Sequence, residues 1–128
     1  MNRKYILPAA VMQQADNATI EQIGIGQDVL MERAALAVVS RVKSYNPQTV
    51  LCVCGTGNNG GDALAVARIL LMQGVKADVY LCGKPEKYKP AVVKQYDIFQ
   101  KVGGRTITTN DFTEYDIIVD GIFGIGLE

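Results

Sequence analysis

The chain has no histidine and no tryptophan among its 128 residues. Without an imidazole it cannot build a Ser-His or Cys-His nucleophilic centre, and a zinc site loses its commonest nitrogen ligand. Cysteine is scarce, with three in all. Cys52 and Cys54 alternate onto one face of an apolar run instead of forming a CxxC pair, so they are expected as reduced core residues. Net charge is also missing. Thirteen basic and 13 acidic residues are interspersed and sum to zero, which leaves no electrostatic footprint for nucleic acid or an anionic membrane. No apolar stretch approaches the ~20 residues that span a bilayer, and none has the layout of a secretory signal. A cytoplasmic chain with no membrane partner is the expectation. Lys84, Lys87 and Lys89 form a small basic patch beside Tyr88, read as a solvated loop between Pro85 and Pro90.

What is present is apolar and organised. At 48% hydrophobic the chain can bury roughly two-thirds of its unfolded surface, enough for one core and one domain over residues 1–128. Repeats, low-complexity segments and linkers are absent. The run Val50 to Cys54 reads as a strand covered on both faces. It enters Gly55-Thr56-Gly57-Asn58-Asn59-Gly60-Gly61-Asp62, and Ala63, Val66, Ala67, Leu70 and Leu71 then recur at helical spacing up to Gly74. A second strand, Val75 to Leu81, completes a βαβ unit.

Gly55, Gly57 and Gly60 match G-x-G-x-x-G, a pattern that lets backbone approach a phosphate at a helix N-terminus but also arises in ordinary tight turns. Two details separate the loop from a dehydrogenase. The second strand ends in Leu81-Cys82-Gly83 without the acid that usually holds the ribose. Asn58, Asn59 and Asp62 bring amide oxygens and a carboxylate where a phosphate loop avoids negative charge. They suit sugar hydroxyls or a hard cation, although Asp62 could equally be an acid favoured by the helix dipole. A third strand, ending at Asp120, runs into Gly121-Ile122-Phe123-Gly124-Ile125-Gly126. In a parallel sheet Asp120 must stand on the same rim as the Gly55 to Asp62 loop, or it simply caps an Asp-Gly turn.

The stretches GTGNNGGDALAVARILLMQG and YDIIVDGIFGIGLE, with LPAAVMQQADNATIEQIGIGQDVLMERAALAVV before them, resemble the NAD(P)H-hydrate epimerases, the YjeF N-terminal domain. The likeness spans nearly all of the chain. It implies metabolite repair, the interconversion of R and S epimers of hydrated NADH or NADPH (NADHX and NADPHX) for a dehydratase that is fused or separate. It further implies a substrate loop of Asn58, Asn59, Gly60, Gly61 and Asp62, a second loop begun by Gly124, Ile125, Gly126 and Leu127, and potassium ligands Asn59 and Asp120. A positioned carboxyl would assist proton movements at the hydrated carbon, and Asp120 is the candidate for that catalytic role. Three departures stand out. Ala63 replaces a common glycine; Gly121 and Ile125 replace the alanine and threonine of D-A-x-F-G-T-G; and the family's domain continues beyond Glu128, so truncation on the C-terminal side is expected.

The expected architecture is a three-layer αβα Rossmann-like sandwich with a mostly parallel sheet and an N-terminal helical pair. The pair comprises a helix from about Pro8 to Ile23, with Leu7 on its apolar face, and one from Val29 to Val42 carrying Leu30, Ala34, Ala37 and Val38. A further helix, Ala91 to Val102, leads to a short strand, Arg105 to Thr108. Because the last strand should be central, an open edge there predicts a homo-oligomer. A non-catalytic nucleotide-binding or dimerisation module of the same fold is the alternative function. A dehydrogenase is disfavoured by the missing ribose acid and hydride-transfer groups.

Overall fold

Apolar runs alternating with helical stripes give β1 (Tyr5–Pro8), α1 (Gln27–Lys43), β2 (Thr49–Cys54), α2 (Asn58–Met72), β3 (Lys76–Leu81), α3 (Pro90–Lys101), β4 (Arg105–Ile107) and β5 (Ile117–Gly121). They are described by a computed structural model of residues 5–9 and 26–122. The five strands form one sheet in the order β1-β5-β2-β3-β4, parallel throughout. The α/β class and parallel sheet are those expected.

From β2 the chain steps outward through α2 to β3 and through α3 to β4. Right-handed crossovers in one direction place both helices on one face. That face carries Val50, Cys52, Cys54, Ala77, Val79, Ile117 and Val119, packed with α1, α2 and α3 into the main core. The return from β4 to β5 passes back across β3 and β2 through residues 108–116 on the opposite face. There Phe112 and Tyr115 cover Leu51, Val53 and Ile107. Asp116 fastens the end of this crossover to the start of β2, its Oδ2 accepting the Gln48 and Thr49 amides at 2.8 and 3.3 Å. Strand order therefore reverses between β2 and β5, and their carboxyl ends frame the crevice where open α/β sheets take ligands.

The N-terminus departs from expectation. Leu7 and Pro8 lie in a strand, not on a helix, and the rest of the expected first helix falls outside the described residues. A proline is tolerated there because β1 is an edge strand. β1 also covers the edge of β5, pairing Tyr5 to Pro8 with Ile117 to Asp120. The open edge offered as the reason for a homo-oligomer is thus filled from within the chain. On α1 the buried stripe is Leu30, Met31, Ala35, Val38, Val39 and Val42. Ala37 is exposed, so the apolar face is rotated from the expected one. Among the described residues no helix is long and apolar enough to cross a membrane.

Candidate functional site

The glycine loop and Asp120 meet at the reversal point because β2 and β5 are neighbours. Val53 pairs with Asp120 and Cys54 with Gly121, and the Gly55 N–H donates to the Gly121 carbonyl at 3.0 Å. α2 begins at once with Gly57 as N-cap and no side-chain cap. A helix start of this kind directs its N–H groups and dipole at an anion.

Along Asn58 to Ala63 the residues divide by helical position. Gly60 faces back onto the loop, so close that a Cβ there would fall inside the Gly55 carbonyl. Gly61 faces the neighbouring helices, where a Cβ would stand 3.2 Å from both Met31 Cε of α1 and Ala91 Cβ of α3. Gly60 is thus required by packing, whatever it does for a ligand, while at Gly61 a methyl group would be tight against side chains. Asn58 and Asp62, one turn apart on one stripe, are half-buried. Gly57 differs: its backbone is extended (φ −99°), and among the described residues nothing lies within 4 Å of a Cβ built on it. No described contact there demands a glycine; its place as N-cap favours one, and the open space leaves room for a ligand to approach the backbone.

Asn59 and Ala63 face β5. A Cβ on Gly121 would collide with Ala63 Cβ and would stand 2.9 Å from the Val53 carbonyl oxygen and 3.0 Å from that of Asn59. The two departures noted in sequence, alanine for glycine at 63 and glycine for alanine at 121, therefore meet at one contact between α2 and β5.

Asp120 sits at the carboxyl end of β5, half-buried, on the sheet face opposite α2. Its Oδ1 accepts the Ile122 amide at 2.9 Å and its carbonyl accepts the Ala9 amide at 2.9 Å. It thus makes the turn that the sequence allowed as its simpler role, and that turn fixes the carboxylate on the rim. Burial raises the pKa of the neighbouring Cys82 thiol, and the Asp120 charge adds to the rise. Asn59 is buried and its carbonyl oxygen faces the end of β5 from the helix side, while the Asp120 carboxylate stands on the other face; both residues offer oxygen, the donor type that a hard cation takes. Gly124, Ile125, Gly126 and Leu127 lie outside the described residues.

Sequence reasoning missed Thr56 as a hub. Its carbonyl accepts the Lys89 amide at 2.8 Å and its methyl abuts Gly83, which binds the β3–α3 loop to the glycine loop. It also missed Asp78. That carboxylate is buried in β3 and accepts the Tyr115 hydroxyl at 2.6 Å, with Arg105 Nε at 3.8 Å. Burial first and the Asp78 hydrogen bond second push the Tyr115 phenol well above its ordinary pKa. At the far end of α2, Leu36, Val39, Ser40, Lys43 and Gln73 line an open groove of about 270 Å³.

Comparison with known proteins agrees with this geometry. The family described as YjeF-related protein N-terminus matches residues 27–128. The chain is 43% identical over 124 residues to a Leuconostoc mesenteroides protein named NAD(P)H-hydrate epimerase, covering 95% of this chain and 56% of that one. It is also 43% identical over 116 residues to an Oenococcus oeni protein of the same name, covering 88% and 55%. A crystal structure of the yeast protein ynu0 superposes with a TM-score of 0.76 at 22% identity, over 96% of this chain and 58% of that one, a likeness of fold. The chain spans little more than half the length of the curated relatives it matches.

Proposed function

The chain belongs to the family of YjeF-related protein N-termini, and from that premise we propose that it carries the substrate loop and acid-base group of an enzyme that epimerises hydrated NADH and NADPH. The observation that carries this reading is the reversal of strand order between β2 and β5. It brings the Gly55 to Asp62 loop and Asp120 to one crevice, in a chain 43% identical to a protein named NAD(P)H-hydrate epimerase.

In the proposed arrangement the substrate approaches the backbone at Gly57, and Asn58 and Asp62 accept hydrogen bonds from its ribose hydroxyls. The hydrated carbon bears a hydroxyl and the ring nitrogen. Breaking the C–N bond at that carbon turns the hydroxyl into a carbonyl and leaves the bonding pair on nitrogen, which takes up the hydroxyl proton. Closing the C–N bond on the other face of the carbonyl reverses the transfer. Asp120, oriented at the rim by the Ile122 amide, carries that proton between oxygen and nitrogen. Asn59 and Asp120 would hold a potassium ion above the end of β5, which when bound supplies a fixed positive charge for orienting substrate oxygens. Sodium, which is smaller, should substitute poorly. Epimerisation does not itself restore the cofactor, so the reaction calls for a dehydratase, fused or separate, that consumes one epimer.

The test uses the whole protein and a single epimer of NADHX, with the approach to the equilibrium mixture followed by chromatography. Potassium-dependent acceleration supports the reading. Saturable binding with no acceleration assigns the chain instead to a non-catalytic binding module. If no binding is detected in any monovalent salt, the site itself is wrong.

A further inference from the structure

In a βαβ nucleotide unit the carboxyl end of the second strand lies beside the adenosine ribose. An acid there accepts from the 2′-hydroxyl, whereas a cation accommodates a 2′-phosphate. Here β2-α2-β3 is that unit. β3 ends without an acid, and the next eight residues contain Lys84, Lys87 and Lys89 against one carboxylate, Glu86. All four are exposed.

A solvated loop would leave these charges uncommitted, but the fold holds their backbone at the crevice. The Cys82 amide donates to the Cys54 carbonyl at 2.8 Å and the Lys89 amide to the Thr56 carbonyl at 2.8 Å. Between them Gly83, at φ +82°, lies so close to Thr56 that a Cβ would stand 2.6 Å from its methyl group. A short 3₁₀ turn, Pro85–Lys87, is closed by the Lys87 amide on the Lys84 carbonyl at 2.9 Å and the Tyr88 amide on the Pro85 carbonyl at 3.1 Å. The Tyr88 side chain packs onto the main core. Three exposed lysines therefore belong to or flank a turn fastened to the glycine loop, beside the strand end where such a unit places the ribose.

We propose that Lys84, Lys87 and Lys89 form a receptor for the 2′-phosphate, so that the site prefers hydrated NADPH to hydrated NADH. The choice of a hydrated substrate rests on the epimerase reading; the phosphate receptor itself does not. Lysine binds phosphate as a mobile point charge. Exposed pairs of this kind are individually weak and screened by salt, so the preference should be roughly tenfold at low ionic strength and should fade as salt rises.

The whole protein is titrated by calorimetry with adenosine 2′,5′-bisphosphate and with AMP at low and high salt, in the native form and as K84Q/K87Q/K89Q. The ratio of kcat/KM for NADPHX over NADHX is measured on the same two proteins. The expected result is roughly tenfold tighter binding of the bisphosphate, with that ratio and the kinetic ratio both falling to about one in the variant. Equal binding of the two nucleotides by the native protein, or a preference untouched in the variant, overturns the proposal. Epimerase activity without any preference would sink the receptor alone. A lysine-dependent bisphosphate preference in a protein that turns over neither hydrate would sink the reaction and leave the receptor.

Discussion

Asp78 and Asp120 stand on the same face of one sheet, separated by β2, and are placed for opposite purposes. Asp78 lies in the amino half of β3, buried, with the Tyr115 hydroxyl at 2.6 Å and Arg105 Nε at 3.8 Å. It ties the returning crossover to the sheet. Asp120 lies on the carboxyl rim, half-buried, where a turn amide at 2.9 Å orients it. A carboxylate enclosed by protein partners belongs to the frame; one held at its root and left on the rim of the crevice is placed to meet a ligand.

The largest effect should come from separating the two roles. Asp120→Asn in the whole protein keeps shape and removes the charge, so epimerisation should fall at least roughly a hundredfold, as for loss of an acid-base group, with melting little changed. Asp78→Asn should do the reverse. It should cost about 1–3 kcal/mol in urea unfolding, because its neutral amide no longer suits Tyr115 and Arg105, while turnover per folded molecule stays close to native. Equal losses of turnover in the two variants would erase the distinction.

Next in size is the contact that sets the distance between the two loops. Gly121→Ala alone should destabilise by about 1–3 kcal/mol through overpacking against Ala63. Adding Ala63→Gly should recover only the part owed to the Ala63 methyl, because the Val53 and Asn59 carbonyl oxygens still crowd the new Cβ and Ala63→Gly itself costs about 1 kcal/mol of helix propensity. Additive penalties in the unfolding cycle would mean that the two positions are independent.

Gly57→Ala should cost no more than about 1 kcal/mol, the N-cap preference, since a methyl there meets no described atom within 4 Å, and raise KM roughly tenfold by blocking backbone approach, with kcat less affected. Normal KM would move the ligand away from this loop.

The smallest effect concerns the Asp78 side of the comparison and is read from pH. Burial raises the Cys52, Cys54 and Tyr115 pKa values in the folded state. Each group therefore stays protonated in the fold after the unfolded chain has released its proton. Their stabilisation is whole below the unfolded values, about 8.5 for thiols and 10 for the phenol, and is lost as pH rises past them. Melting temperature should decline from about pH 9, and Tyr115→Phe, although less stable at every pH, should decline less steeply above pH 10. Parallel slopes would mean that Tyr115 is not buried as a donor.

Much of this was legible in the sequence. β2, β3 and β5 are apolar runs, and α2 and α3 end at Gly74 and Gly103, both at positive φ, so those ends fall within a residue or two; α2 starts at Asn58, five residues before the apolar spacing that begins at Ala63, because its first turn is polar and glycine-rich. Asp120 was legible because parallel strands share one rim. β1 was not, because four residues containing a proline carry little strand signal and Leu7 fits the helical periodicity that follows. Ala63 and Gly121 were visible as two departures but not as one contact, since nothing in a linear chain brings those positions together. The same is true of Asp78 with Tyr115, and of the lysine loop with Thr56.

The central claim is that the crevice between the ends of β2 and β5 holds the hydrated nicotinamide dinucleotide. Hydrogen–deuterium exchange of the whole protein, with and without saturating epimeric NADHX in potassium buffer, tests it most directly. The account predicts new protection at the amides of residues 55–62 and 120–122, and none at the groove lined by Leu36, Val39, Ser40, Lys43 and Gln73. Protection at that groove, with residues 55–62 and 120–122 exchanging as in the free protein, would contradict it.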